Sequence, residues 1–255
     1  MRVALPEAFL RYPLAHRALH DVACGRPENS RAAVRAAIDA GYGIEIDVQM
    51  SADAQAMVFH DNALDRLADG SGPVRAVAAD QLAKTPLKGG SEGIPDLPEV
   101  LSLVAGQVPL LIEIKDQDGA LGPDIGPLEV AVAAALKGYE GPVAVMSFNP
   151  HAVMRMAQLC PDVPRGLVTD AYGAADWPLP EETRARLRAI PDYDRADCSF
   201  ISHNWRDLSR PRVADLKAQG ANILCWTVKS PQDEAEARKI AQNVTFEQYL
   251  APLSA

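Results

Sequence analysis

Short apolar runs alternate with helix-patterned stretches along nearly the whole chain. The runs read as buried strands ending near His16, Asp47, Glu113, Phe148, Val168, Ser202, Val228 and Phe246. Between them, apolar residues recurring every three or four positions predict helices at about 30–40, 97–105, 127–138, 150–159, 181–189, 210–219 and 231–241. Gly41 follows the first helical pattern as a C-terminal stop, and Pro211 and Pro231 suit the first turns of the last two. This α/β alternation, over 255 residues, is the size and rhythm of a (β/α)8 TIM barrel. An open doubly wound sheet is the competing architecture, but its G-x-G-x-x-G phosphate loop after the first strand is absent.

One stretch breaks the rhythm. Residues 49–96 hold a hairpin pattern at Ala56–His60, a Gly/Asp-rich turn at Ala68–Pro73, a weak helix around Ala79–Lys84 and the loop Lys88–Gly93. This is too long for an ordinary strand-to-helix loop. In a barrel it is a small insertion after the second strand, placed over the C-terminal face where active sites lie. No repeat or domain boundary interrupts the chain, so residues 1–255 are expected to form a single domain.

Composition narrows the function classes. A 48% hydrophobic content supports a large core, and a formal net charge of −9 argues against a broad nucleic-acid-binding surface. The four cysteines, Cys24, Cys160, Cys198 and Cys225, are scattered without zinc-ligand spacing. The N-terminus lacks a basic region followed by a long apolar one, and no run approaches the ~18 apolar residues of a membrane span. The expectation is a cytoplasmic protein with no stable membrane insertion.

Two strand ends carry the candidate chemistry. Glu45-Ile46-Asp47 and Glu113-Ile114-Lys115 each close an apolar run. Strand side chains alternate faces, so Glu45 pairs with Asp47, and Glu113 with Lys115, on one side. Three carboxylates facing one interior are costly to bury unless a cation compensates them. A hard divalent cation with oxygen ligands does so, Mg²⁺ or Ca²⁺ foremost and Mn²⁺ as a further choice. Arg17 and Lys115, added to such an ion, leave the site one positive charge in excess, which suits a phosphodiester monoanion. His16 and His60 flank the first acidic pair in sequence. A network of salt bridges at a barrel mouth is the purely structural alternative.

The ordered set His16-Arg17, Pro27-Glu28-Asn29, Glu45-x-Asp47, His60-Asp61 and Glu113-x-Lys115 resembles the glycerophosphodiester phosphodiesterase family. The segments AHRALHDVACGRPENS, GYGIEIDVQMSADAQAMVFHDNALDRLADGSGPV, IPDLPEVL and LLIEIK carry the likeness. It returns in Met146-Ser147-Phe148 and Cys225-Trp226-Thr227-Val228. The resemblance implies a TIM barrel that hydrolyses glycerophosphodiesters to glycerol 3-phosphate and an alcohol with a divalent cation. It implies Glu45, Asp47 and Glu113 as metal ligands and His16 and His60 as the acid/base pair. It implies Arg17 and Lys115 as phosphate contacts, with Glu28 and Asn29 behind them. Trp226 matches an aromatic lining the substrate pocket, and Phe148, at a strand end, is expected to extend that wall.

The chain departs from the family pattern at three places. Ala18 stands where glycine is usual, and would narrow the pocket floor by a methyl group. Ala54 replaces the glycine of an Asp-Gly turn, so that hairpin is expected to use a different turn. Near the C-terminus, Asn243–Glu247 stands where the family often has a strand ending in Asp and a following Pro, so the far pocket wall is expected to differ. Asp61 reads as a cap of the hairpin end, and His20 and His203 as residues that could approach the active face. The partner is a small phosphodiester; related barrels acting on lysophospholipids or sugar phosphodiesters are the alternative enzymes, and a phosphate-binding barrel without turnover is the non-enzymatic one.

Overall fold

A computed structural model describes residues 2–253 of the chain. The strands are β1 (Leu14–Ala15), β2 (Gly43–Met50), β3 (Ala56–Val58), β4 (Leu110–Ile114), β5 (Val143–Ser147), β6 (Arg165–Thr169), β7 (Phe200–Asn204), β8 (Asn222–Val228) and β9 (Asn243–Phe246). All but β3 run parallel and pair in the order β1-β9-β8-β7-β6-β5-β4-β2, and β1 pairs β2 to close the barrel. The β3 strand is antiparallel to the end of β2, with Val48 opposite Val58. The architecture is therefore the closed (β/α)8 barrel that the alternation predicts.

Around it lie α2 (Arg31–Ala40), α4 (Leu97–Val104), α5 (Pro127–Leu136), α6 (Pro150–Leu159), α7 (Glu181–Arg188), α8 (Pro211–Ala218) and α9 (Pro231–Ala237), preceded by α1 (Ala8–Arg11) and with α3 (Ala79–Leu82) in the insertion. Four of these helices open on proline, whose fixed φ and missing N–H cost nothing at a first turn. The Ser30 hydroxyl accepts from Ala33 N–H to start α2, and Gly41 at φ 75° ends it.

Alternation divides the apolar residues into two layers. Outward-facing Ile44, Ile46, Val48, Ile112, Val145, Ile201 and Val244 pack against Val34, Val100, Val132 and Val213 of the helices. Inward-facing Leu14, Leu111, Ala144, Val168, Phe200 and Leu224 fill the barrel. A side chain at Gly166 would collide with the Phe200 ring, so the glycine makes room for that ring in the interior. The apolar pattern gave no sign of α1, which plugs the N-terminal mouth. Its Phe9 is fully buried against the interior residues, and Asn243 Nδ2 donates to Phe9 O (2.8 Å) and Tyr12 O (2.6 Å) to hold the plug.

The insertion has its own apolar cluster, built from Met57, Phe59, Leu64, Val74, Leu82, Leu87 and Ile94. Its β2–β3 turn corrects one expectation. Ala54 adopts φ 58°, so the turn retains the left-handed residue even though glycine is missing. Neighbouring bonds hold it there: Ser51 Oγ accepts from Gln55 N–H (2.9 Å), and Asp53 Oδ1 accepts from Ser51 Oγ–H (2.6 Å) and from Ala79 N–H (2.9 Å). Ala18 likewise sits at φ 64°, buried in the outer apolar layer and off the cavity lining, so its methyl does not narrow the pocket floor.

A left-handed alanine costs about 1–2 kcal/mol, partly offset by the extra unfolded-state entropy that glycine would bring, about 0.4–1 kcal/mol. Ala54→Gly is therefore expected to stabilise the protein by about 0.5 kcal/mol. Urea unfolding should show a higher midpoint at unchanged m value; a lower midpoint would contradict the strain assignment.

Candidate active site

The apolar interior gives way to charge at the C-terminal ends of β2 and β4. Asp47 lies opposite Glu113 in the parallel register, and Glu45 lies one interior position below Asp47. All three are buried, and one carboxylate oxygen from each lies within 4.8 Å of the others. Lys115 Nζ bridges Asp47 Oδ1 (2.7 Å) and Glu113 Oε1 (2.6 Å). This is the facing arrangement inferred from the two alternating motifs.

The loop after β1 supports the same group. Arg17, at φ 54°, points its backbone N–H to Glu45 Oε2 (2.9 Å), and Ala18 N–H donates to Glu45 O (2.9 Å). Asn29, also left-handed at φ 59°, clamps Asp47: its Nδ2 donates to Asp47 Oδ2 (2.9 Å), and its Oδ1 accepts from Asp47 N–H (3.3 Å). The Arg17 guanidinium donates to Glu28 Oε1 (2.7 Å) and lies 3.7 Å from Asp47. Backbone held in sparsely populated conformations is stored strain, which such a bond network sustains.

The titration behaviour follows from that crowding. Burial, with the Asp47 and Glu113 charges beside it, pushes the Glu45 carboxyl well above its usual range. Burial also raises Glu113, against the lowering pull of Lys115. Burial would raise Asp47 too, but Lys115, His60 and Arg17 overcome it and hold Asp47 well below the ordinary value. Burial opposes the Lys115 charge, yet Asp47 and Glu113 raise its pKa above that of a free lysine.

The two motif histidines reach the same cavity from segments that follow strands paired to one edge of β2, the edge away from β4. His16 follows β1, and His60 follows β3 in the insertion. Each Nδ1 meets a carboxylate: His16 at Glu247 Oε2 (2.7 Å) and His60 at Asp61 Oδ1 (2.7 Å). A carboxylate partner fixes the tautomer with the proton on Nδ1, leaving Nε2 as the free ring nitrogen. Burial lowers the pKa of His16, and burial with the Lys115 charge lowers that of His60 to about 4.

The sequence offers no role for Glu247 and only a hairpin cap for Asp61. Glu247 is held by Lys229 Nζ (2.6 Å), and His20 Nε2 lies 3.6 Å from it. Asp61 does not merely cap the hairpin. It binds His60 on one side and accepts from Arg66 Nε (2.7 Å) and an Arg66 terminal nitrogen (2.6 Å) on the other. Arg66 also donates to both Glu28 oxygens (3.0 and 3.2 Å), joining the supports of His60 and Arg17. Only Asp61 carried a local signal, its place beside His60; Glu247 is 231 positions from His16.

His16, Arg17, Glu45, His60, Glu113 and Lys115 line one cavity with Met146, Phe148, Val168, Trp226 and Thr227. Phe148 and Trp226 meet edge to face at 5.4 Å, and Trp226 Nε1 donates to Ser202 O (3.0 Å). His20 lines a neighbouring groove, separate from this cavity. His203 does not approach it. It is fully buried on the outer side of β7, between Thr169 Oγ1 (2.8 Å) and Asp207 Oδ2 (3.2 Å).

A barrel of this topology with an acid-rich, histidine-flanked cavity on its C-terminal rim defines a TIM-barrel enzyme. The chain belongs to the glycerophosphoryl diester phosphodiesterase family, whose sequence model matches residues 16–245. A glycerophosphodiester phosphodiesterase of Caldanaerobacter subterraneus subsp. tengcongensis is 33% identical over 81% of this chain and 82% of its own. The fold matches an Oleispira antarctica phosphodiesterase solved with the product sn-glycerol-3-phosphate, at TM-score 0.77, 24% identity, and 95% and 94% coverage of the two chains. It also matches a Parabacteroides distasonis glycerophosphodiester phosphodiesterase at TM-score 0.73 and 22% identity, covering 92% of each chain. No helix among the described residues is long and apolar enough to cross a membrane.

The donor set fits a divalent cation. Three hard oxygen donors converge, and Glu45 meets no lysine or arginine side chain among the ion pairs of the described residues. Mg²⁺, Ca²⁺ or Mn²⁺ is therefore expected to stabilise the fold, by about 2.7 kcal/mol at a hundredfold excess over Kd. Thermal melts with each ion would show the rise in Tm, and Glu45→Gln should remove it. An ion-dependent rise that survives Glu45→Gln would place the binding elsewhere.

Proposed function

We propose that this protein is a metal-dependent glycerophosphodiester phosphodiesterase, releasing glycerol 3-phosphate and an alcohol by two-histidine acid/base catalysis. The observation that carries it is the pair of carboxylate-anchored histidines, His16–Glu247 and His60–Asp61, converging on the Glu45/Asp47/Glu113 group. Membership of the family supports it independently.

Glu45, Asp47 and Glu113 are the residues that would hold the cation, which would there supply Lewis-acid polarisation of the phosphodiester and a lowered pKa for a glycerol hydroxyl. Arg17 and Lys115 contact the phosphate oxygens; Glu28 steadies Arg17, and Asn29 steadies Asp47. Phe148 and Trp226 give an apolar wall against the substrate's carbon atoms.

The reaction runs in two proton-balanced stages. In the first, one histidine takes the proton of the glycerol hydroxyl adjacent to the phosphate ester, and that oxygen bonds to phosphorus. The bond to the leaving alcohol breaks, and the other histidine, which enters as the imidazolium with a proton on Nε2, gives that oxygen its proton. In the second stage water opens the cyclic phosphate with the histidine roles reversed. Attack from within the substrate gains from high effective molarity, ~10⁵ M or more. Glu247 and Asp61 orient the rings and stabilise each imidazolium as it forms.

Purified protein incubated with glycerophosphoethanolamine should release glycerol 3-phosphate. EDTA should stop the release, and Mg²⁺, Ca²⁺ or Mn²⁺ added back singly should restore it. His16→Ala and His60→Ala should each lower kcat by ~10²–10⁴. Near-wild-type kcat in either variant would overturn the two-histidine scheme. Cation binding without any product would favour a barrel that only binds its ligand.

A further inference from the structure

We infer that Asp170 and the aromatic row Trp177–Phe148–Trp226 form a subsite for a cationic alcohol, the ammonium end of an amino-alcohol phosphodiester. The inference deepens the reading above and rests on it, naming the class of leaving group that the cavity prefers.

Asp170 follows the C-terminal end of β6, at the level of the barrel mouth. Its Oδ1 accepts from Ala171 N–H (2.7 Å) and Asn204 Nδ2 (2.8 Å), and its Oδ2 accepts from Trp177 Nε1 (2.7 Å). All three donors are neutral. The other catalytic-rim carboxylates with ionic partners differ sharply. Lys115 pairs with Asp47 and Glu113, Arg66 with Glu28 and Asp61, and Lys229 with Glu247. Asp170 therefore carries a fixed, oriented negative charge without a cationic partner among the ion pairs of the described residues. Half-burying such a charge is unfavourable until a cation reaches it.

Register places Asn204, which holds that charge, on the interior face, beyond the residues that line the cavity. Asn204 lies opposite Trp226 in the parallel β7–β8 pairing, so the two side chains share a face. Trp226 lines the cavity, as does Val168, two positions before Asp170. Hence the Asn204 amide that grips Asp170 stands on the interior rim, above the apolar wall.

The aromatic groups complete the recognition. Phe148 contacts Trp226 at 5.4 Å and Trp177 at 4.9 Å between ring centroids, and the Trp177 indole is oriented by its bond to Asp170. Ring faces attract a quaternary or primary ammonium, and Trp does so best. A carboxylate alone would bind any hydrogen-bond donor. A carboxylate beside a row of aromatic rings favours a weakly hydrated cation joined to carbon. A phosphodiester of this kind presents its anion to Arg17 and Lys115 and its cation to the opposite wall.

The test compares kcat/KM for glycerophosphocholine with that for glycerophosphoglycerol, whose leaving group is uncharged. The wild-type protein should favour the choline ester, by a ratio that falls as ionic strength rises. Asp170→Asn should reduce that ratio about threefold, the scale of one lost solvent-accessible charge contact. Trp177→Leu, checked by thermal melt, should reduce it as well and covers the case in which Asp170→Asn does not fold. An unchanged ratio, including equal losses on both substrates, would overturn the inference and leave Asp170 as a brace of the rim. Wild-type release of glycerol 3-phosphate from glycerophosphoglycerol at an indifferent ratio would do so while leaving the phosphodiesterase reading intact. Absence of cleavage of both esters would overturn the two together.

Discussion

Three carboxylates buried within 4.8 Å of one another are the constraint around which the C-terminal half of this barrel is organised. Nothing in the hydrophobic core requires them. Glu45, Asp47 and Glu113 occupy interior positions where the lower layers hold Leu14, Leu111 and Phe200. Their mutual repulsion and burial must be offset locally, and the surrounding structure is arranged to do so. Lys115 supplies a fixed cation, Asn29 clamps Asp47, and the left-handed backbone of Arg17 turns an N–H onto Glu45.

The same constraint explains the division of labour between barrel and insertion. Parallel strands hold the carboxylates rigidly, as ladder pairing fixes Asp47 opposite Glu113. A second histidine beside His16 has to come from outside the parallel strands. The insertion, with its own apolar cluster, delivers His60 together with Asp61 and Arg66. Arg66 then joins Asp61 to Glu28, and through it to Arg17, so that His60 and Arg17 are held by one hydrogen-bond network. At the far wall, Glu247 does for His16 what Asp61 does for His60. The C-terminal segment thus supplies the carboxylate that meets His16.

What the sequence revealed had local signatures. Strand alternation put Glu45 with Asp47 and Glu113 with Lys115 on common faces, and proline and glycine marked helix ends. What it concealed depended on closure of the barrel. His16 and Glu247 meet only because β1 pairs with β9, and the Phe9 plug is set by contacts across the whole interior. Ala54 misled for a different reason. Alanine disfavours positive φ, but the bonds of Ser51 and Asp53 on either side impose the turn regardless. His203 stands at a strand end that suggests the rim, but its side chain faces outward, toward Thr169 and Asp207.

The central claim is that the carboxylate trio exists to hold a divalent cation. Anomalous diffraction from crystals soaked in Mn²⁺ tests it most directly. The account predicts one strong peak between Glu45, Asp47 and Glu113, lost in crystals of the Glu45→Gln variant. No peak there at saturating Mn²⁺, with Lys115 still bridging Asp47 and Glu113, would show that the lysine alone neutralises the group and would contradict the claim.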